Sequence, residues 1–350
     1  MKDIAYKRSE NFAPDFNNLL SVLNGKKPER PTLFEFGLNN RIMGKLTGMD
    51  YEDTSSRLAP FRRLIKSFIN AGYDYATISA WRTNTLSFPK VTSEKKESRS
   101  LNAGSLINDR ESFEKYNWPD PDFGDYDIYH DLHTELPDGM KLIASGNGGL
   151  LENVIDITGF EKLCFICMMD ESLTTDIFNA VGSRLLRFYE IVASVDTIGA
   201  CIVNDDWGFK TQTILSPDML RQWVFPWHKK IVEAIHNAGK PAILHSCGQL
   251  KAVMNDIIDD MKYDAKHSFE DQITPVEQAF ENWGKRIAIL GGIDMDFLAR
   301  STPSEIIQRS KAMLETGLRD GGYALGSGNS IPEYIPDDNY LAMISTVNLV

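Results

Sequence analysis

Cysteine is scarce in this chain, and none follows Cys247. The four present, Cys164, Cys167, Cys201 and Cys247, show no framework spacing, which excludes a disulfide-stapled secreted scaffold. Long apolar runs are missing too. No stretch of about 18 apolar residues exists, so no membrane span is expected. The N-terminal segment MKDIAYKRSENFAPDF lacks an apolar h-region, so no signal peptide is expected. Positive charge is in deficit: 37 Lys and Arg stand against 49 Asp and Glu, a formal net charge of -12. That balance excludes the basic stripe of a general nucleic-acid binder. No Walker motif, GxSxG elbow or HExxH pair occurs, and the Gly-Gly of ILGGID does not match a dinucleotide fingerprint. Internal repeats, low-complexity segments and an inter-domain linker are also missing. A cytoplasmic, reduced, soluble protein follows as the default.

What is present is an ordinary globular composition, 42% hydrophobic and 25% charged over 350 residues, enough for a large core. Apolar runs bounded by turn residues alternate with segments of helical period. The strand candidates are RPTLFEFG (30–37), YDYATISAW (73–81), KLIASGNGG (141–149), TIGACIVND (197–205), PAILHSC (241–247), AKHSFED (265–271), RIAILGGID (286–294) and GGYALGSGN (321–329). Between them fall helical stretches at 55–71, 159–193 (two), 217–239 with a break near Pro226, 250–261, 275–283 and 303–316. Such alternation means parallel strands with crossover helices. Eight units predict an α/β fold, a single closed (β/α)8 barrel over residues 31–350. Residues 1–30 read as an N-terminal helical extension, with Phe16 to Leu23 packing on the outside. Residues 83–140 form an insertion after the second strand. Its Lys90–Asn108 stretch is a polar surface hairpin or loop.

The fifth strand candidate does not end in bland turn chemistry. It runs into His245-Ser246-Cys247-Gly248. Positions i and i+2 of an extended segment face the same side, so His245 and Cys247 point toward one place. Imidazole nitrogen and thiolate sulfur are the ligands that zinc prefers. In a barrel all C-terminal strand ends meet at one face, where active sites sit. The polar groups gathered there are Glu35, Trp81, Arg82, Ser145, Asn147, Asn204, Asp205, Asp206, His245, Cys247, His267, Glu270, Asp271, Asp294, Ser327 and Asn329. Of these, Asp205, Asp206 and Glu35 are the candidate catalytic groups, and Trp81, Asn147 and Asn329 the candidate substrate contacts. His245, Cys247 and Glu270 are the candidate metal ligands. The bland alternatives are a helix cap for Asp205-Asp206, a local hydrogen-bonded pair for His267 and Glu270, and close backbone approach at Gly291-Gly292. The CxxC of LCFICMM sits in an apolar helical context and reads as core packing.

HSCG at the fifth strand, GGID at the seventh and a Gly-rich eighth strand followed by IP resemble the uroporphyrinogen decarboxylase superfamily, which also holds the zinc-dependent corrinoid methyltransferases. NDDWGFKTQTILSPDML, KHSFED, LGGIDMD and GYALGSGNSIP fit the same pattern. The resemblance implies the (β/α)8 barrel and runs from about Pro31 to the end. True decarboxylases of the superfamily carry an Arg-rich segment that grips substrate carboxylates. Here the matching place reads FEFGLNNRIMG, with Arg41 its one basic residue. The methyltransferases carry His-x-Cys and a later Cys as zinc ligands. His245 and Cys247 match the first two, while the later position falls at Gly328-Asn329-Ser330. Glu270, Glu35, His267 or one of the Asp205-Asp206 pair is then left to complete the set. The resemblance thus implies a zinc-dependent methyltransferase that moves a methyl group between a corrinoid on a partner protein and a small thiol or other donor or acceptor. The alternatives are a decarboxylase of the uroporphyrinogen type and a non-catalytic barrel that binds a tetrapyrrole or corrinoid. The expected partners are a small-molecule substrate, a corrinoid protein and a second copy of the chain, with no nucleic acid and no membrane.

Overall fold

Seven parallel strands form one sheet in chain order in the computed structural model, which describes residues 12–49, 55–90 and 104–350. They are β1 (Tyr75–Ser79), β2 (Lys141–Ser145), β3 (Ile198–Asn204), β4 (Ala242–His245), β5 (Ala265–His267), β6 (Ala288–Leu290) and β7 (Tyr323–Ala324). Parallel neighbours cannot be joined by a tight turn, so each crossover carries helices. Leu150–Thr158, Phe160–Met169 and Glu171–Ala193 lie between β2 and β3, and Phe225–Asn237 lies between β3 and β4. Val276–Trp283 joins β5 to β6, and Pro303–Asp320 joins β6 to β7. Ala242, Ile243 and Leu244 are fully buried, the continuous apolar run of a strand covered on both faces.

Local chemistry sets the element ends. Gly72, at φ 97°, closes the helix Ala59–Ala71 in the left-handed conformation. Thr302 and Glu305 form a reciprocal capping box at the start of Pro303–Asp320. The break near Pro226 is a π-helical turn, Leu220–Val224, followed by Phe225–Asn237 with Pro226 in its first turn, where its missing N–H costs nothing. The expected helix at 250–261 is instead a 3₁₀ turn, Lys251–Val253, and a π turn, Asp256–Asp260. The helix Leu150–Thr158 has no counterpart in the sequence reading, because its Gly-rich entry resembles a loop. The leading helix Phe16–Leu23 is more than an outer decoration. It buries Phe16, Leu19, Val22 and Leu23, and the Phe16 ring occupies the space a Cβ on Gly199 would need near the N-terminal end of β3. Most of the Lys90–Asn108 stretch, residues 91–103, lies outside the described residues.

The closed eight-stranded barrel needs correction. The first strand candidate survives as an isolated bridge, Leu33 to Leu325, made by Phe34 N–H to the Leu325 carbonyl (2.7 Å) and Leu325 N–H to the Thr32 carbonyl (2.9 Å). Toward β1 the described residues show no ladder. The Tyr75 hydroxyl stands there instead. It accepts the Glu35 N–H at 2.6 Å and donates to the Glu35 carbonyl at 2.8 Å. Both backbone groups that a ladder would use are thereby occupied. The sheet curls so that residues 33–35 touch both of its edges, with a side chain closing the seam.

This seam generates a stability test. Tyr75 and Glu35 are both fully buried. Tyr75→Phe keeps the ring, strands one buried N–H at about 1–3 kcal/mol, and leaves the Glu35 C=O with the longer Thr77 hydroxyl bond (3.4 Å), a further loss of about 1 kcal/mol. Urea denaturation is expected to show a loss of about 2–4 kcal/mol. A loss below about 0.5 kcal/mol would mean the seam is held by packing alone.

Candidate functional site

The register of the sheet builds the site. Asn204 of β3 pairs with His245 of β4, and His245 pairs with His267 of β5. Two residues on, past the strand ends, Asp206 stands beside Cys247. A carboxylate oxygen of Asp206, a ring nitrogen of His245 and the Cys247 sulfur all lie within 4.8 Å of one another. His245 Nε2 is 3.9 Å from Cys247 Sγ. Tetrahedral zinc, with its usual bond lengths, would ask for about 3.5 Å between such atoms. Asp206 Oδ1 accepts the Cys247 N–H at 2.8 Å and also pairs with the thiol. The loops after β3 and β4 meet because Gly248, at φ +87°, lets its Cα approach Gly208, where a Cβ would lie 2.2 Å from backbone.

Other groups converge on the sulfur. The Ser268 hydroxyl lies 3.2 Å from Cys247 Sγ and Asn329 Nδ2 lies 3.5 Å away. Asn329 is oriented by its Oδ1, which accepts the Ser330 N–H at 2.8 Å. Ser268 holds a left-handed φ of 80°, an uncommon choice for a residue with a Cβ. A buried ammonium holds it there: Lys266 Nζ donates to the carbonyls of Ser268 (2.6 Å), Ser246 (3.2 Å) and His267 (3.4 Å). Sequence reading passed over Lys266, although a lysine inside a short strand was the available signal.

Burial dominates the electrostatics. It pushes the Cys247 thiol well up, and the Asp206 charge adds to this. It raises the Asp206 carboxyl as well. It lowers His245 to about 3, with the Lys266 ammonium as the second cause. Lys266 itself is lowered to about 8 by the same desolvation. The site is therefore a largely buried set of nitrogen, sulfur and oxygen donors with a neutral imidazole at its centre.

The remaining sequence candidates take distinct places. Asp205 is fully buried and spoken for. It accepts from Leu151 N–H and Glu152 N–H (3.0 Å each), Trp207 Nε1 (2.8 Å) and, at 2.9 Å, pairs with His228 Nε2. It thus serves the start of the helix Leu150–Thr158, close to the bland reading of a cap. Glu35 is buried behind β7, where Ser327 Oγ (2.9 Å) and N–H (3.3 Å) reach its carboxyl group. Glu270 stands half-buried at the rim, its carboxyl raised by burial and by the Asp294 charge, and is not in the ligand trio. The trio's carboxylate is Asp206. Trp81 is 58% exposed, with the Arg82 guanidinium 4.4 Å over its ring. Asn147 is half-buried and donates to Ser87 Oγ at 3.2 Å. Gly291, at φ +65°, allows the close approach expected of ILGGID: a Cβ there would meet the Ser327 carbonyl at 2.2 Å. In LCFICMM the packing is carried by Leu163 and Ile166, while Cys164 and Cys167 are half-buried.

The uroporphyrinogen decarboxylase (URO-D) family matches residues 108–349, more than half of the chain. The chain belongs to the uroporphyrinogen decarboxylase family. Among solved structures, a methyltransferase from Methanosarcina mazei is similar, at a TM-score of 0.71 and 12% identity, over 95% of this chain and 97% of that one. A β-glycosidase from the hyperthermophile Thermosphaera aggregans overlaps more loosely, at a TM-score of 0.44 and 11% identity, over 92% of this chain and 97% of that one. No curated protein matches the sequence. Family membership indicates an enzyme and, with the methyltransferase neighbour, the barrel-like α/β fold; the decarboxylase name does not by itself fix a reaction.

For this family member the buried acid behind β7 gives a pH test. Burial raises the Glu35 carboxyl from 4.5 to about 8, despite the Ser327 and Phe36 hydrogen bonds that lower it. The folded chain keeps a proton that the unfolded chain releases. Stability from that proton is full below pH 4.5 and is lost as pH rises through about 8. The loss amounts to roughly 4 kcal/mol by pH 8. Asp74, raised to about 6, acts the same way lower in the range. Glu35→Gln is expected to flatten the decline between pH 6 and 8 in denaturation curves. An unchanged slope would show that Glu35 is ionised in the fold.

Proposed function

We propose that this chain is a metal-dependent methyltransferase, with zinc held by His245, Cys247 and Asp206. In this reading a methyl group passes between a corrinoid on a partner protein and a small thiol or another donor or acceptor. The observation that carries it is the nitrogen, sulfur and oxygen trio within 4.8 Å at the carboxyl ends of the strands. The similarity in fold to a methyltransferase supports it. Zinc in such a site supplies a Lewis acid that lowers the pKa of a bound thiol and yields a nucleophile at neutral pH.

The chain's own residues divide the remaining work. Three protein ligands are the number that catalytic zinc sites use. His245, Cys247 and Asp206 would provide them, with Asp206 in place of the later cysteine. Ser268 and Asn329 donate toward the Cys247 sulfur and fix its position. Phe36, its ring 4.5 Å from that of His245, keeps water off the imidazole. Asp205 positions the turn that carries Asp206. Trp81 and Asn147 are proposed as substrate contacts at the mouth, and Glu270 as an orienting carboxylate at the rim. The decarboxylase alternative asks for cationic side chains to grip several carboxylates. Arg41 is engaged elsewhere, pairing with Asp337 and donating to the carbonyls of Glu333 (2.9 Å) and Ile335 (2.8 Å).

The test is metal content by mass spectrometry on protein purified without chelators. About one zinc per chain is expected, lost on dialysis from His245→Ala and Cys247→Ala and held more weakly by Asp206→Ala. Zinc-loaded wild type should then demethylate methylcobalamin in the presence of thiols. Folded wild type free of metal, and unable to take up zinc, would overturn the proposal and direct assays to decarboxylation.

A further inference from the structure

Two histidines meet behind the proposed metal position, and their contact carries information that the ligand trio does not. His245 Nδ1 and His267 Nδ1 are 2.8 Å apart, a hydrogen-bond distance between two ring nitrogens. One proton, and one only, must lie between them if both rings are neutral. The other nitrogen of His267 decides which ring owns it. His267 Nε2 lies 3.1 Å from the Ser327 carbonyl oxygen, which can only accept. His267 is thus protonated at Nε2, so as a neutral ring it bears a lone pair at Nδ1. The proton between the rings then belongs to His245 Nδ1. That leaves the lone pair of His245 on Nε2, the nitrogen facing Cys247 Sγ.

Neutrality of both rings follows from their setting. His267 is fully buried and His245 nearly so. Phe34 packs on His267 at 5.0 Å and Phe36 on His245 at 4.5 Å between ring centroids. The buried Lys266 ammonium sits beside both, bonded to the Ser246 and His267 carbonyls at 3.2 and 3.4 Å, where a second cation would be repelled. Tertiary packing fixes the relay's far end. Gly292 N–H donates to the same Ser327 carbonyl at 2.9 Å, Ser327 N–H is directed at Glu35, and Ser327 Oγ lies between the Glu35 carboxyl group and the Asn329 carbonyl.

We infer that His267 is a positioning residue, holding His245 in the Nδ1–H tautomer through a relay that starts at the Ser327 carbonyl. His267 itself touches no ligand position. Sequence reading offered it as a ligand or as a partner of Glu270; its nitrogens are instead both committed, to His245 and to Ser327. An imidazole partner in this role is unusual, since a carboxylate or a backbone carbonyl normally fills it. A neutral partner adds no negative charge to the ligand, which suits a centre already holding a thiol and a carboxyl group.

The tautomer belongs to the metal-free protein, whereas its use in metal binding rests on the proposed function. The experiment reads the two separately. Protein labelled with ¹⁵N-histidine contains six such residues, and the His245 signals are assigned by their loss in His245→Asn. Long-range ¹H–¹⁵N spectra of metal-free wild type are expected to show a pyrrole-type Nδ1 and a pyridine-type Nε2 at His245. A protonated Nε2 at His245 overturns the relay, whatever the metal does. In His267→Phe, which removes the acceptor but keeps a ring, the tautomers of His245 should mix, and cobalt(II) affinity should fall about 10–100-fold. His267→Asn, whose Oδ1 takes the place of the Nδ1 acceptor, should restore both. A His267→Phe protein with wild-type His245 signals and wild-type cobalt affinity also overturns the inference. If wild type shows the expected tautomer but binds no cobalt or zinc, the relay stands and the proposed function falls.

Discussion

Ser327 makes the connections on which the rest of the site depends. Its N–H goes to the Glu35 carboxyl group, its hydroxyl lies between that group and the Asn329 carbonyl, and its own carbonyl receives both His267 Nε2 and Gly292 N–H. Through these bonds the first segment of the barrel, β5 and the turn after β6 are fixed to one residue beyond β7. The bonds matter because all the partners are buried. A buried polar group left without a partner costs a large share of a protein's net stability, so each contact restricts where the others can be. The curled sheet is therefore not held at its seam by a ladder. It is held by a polar cluster, Tyr75–Glu35–Ser327, that lies behind the candidate site and shares its residues.

Much of the fold was legible because parallel sheets write themselves plainly. Buried strands such as Ala242–Leu244 are unbroken apolar runs, and the helices between them carry clear periods and caps. Strand ends were less legible. Candidates of seven to nine residues shortened to two or three in β5, β6 and β7. The backbone leaves the extended region just past β5 and β6, at Ser268 (φ 80°), Gly291 (φ 65°) and Gly292 (φ 95°), and pairing past β7 survives as the isolated bridges of Leu325 and Ser327. The first strand was overread for a physical reason that periodicity cannot carry. Its apolar run is genuine, but a tyrosine hydroxyl from another strand occupies the backbone groups a ladder needs.

The candidate site shows the same division. His-x-Cys at a strand end was visible as local chemistry, because residues two apart on an extended chain share a side. The third group was not, because it depends on register between strands. Asn204 pairs with His245, and this alone carries Asp206 to Cys247. Nothing in the spacing of residues 204–206 distinguishes Asp206 from Asp205, yet the fold sends one to the trio and buries the other among four hydrogen-bond partners. Glu270 lies outside the trio: β5 ends at His267, and Ser268 takes a left-handed φ of 80°.

Replacing a thiolate by a carboxylate at the proposed centre changes more than one ligand. Both carry a single negative charge when bound, so the net charge of the donor set is kept. Oxygen is harder than sulfur, however, and a carboxylate gives less electron density to zinc. The metal would then remain a stronger Lewis acid toward whatever takes the open position. The swap also moves the ligand from the loop after β7 to the loop after β3. That frees Asn329, at the vacated place, to hydrogen-bond the remaining sulfur, which draws charge from Cys247 and acts in the same direction. Two independent features, an oxygen ligand and a donor aimed at the sulfur, thus push the proposed centre toward greater acidity than a His-Cys-Cys set would have. Within the proposed function, a more acidic centre would suit a substrate heteroatom that is harder to deprotonate or polarise, so the carboxylate and the Asn329 donor act in one chemical direction.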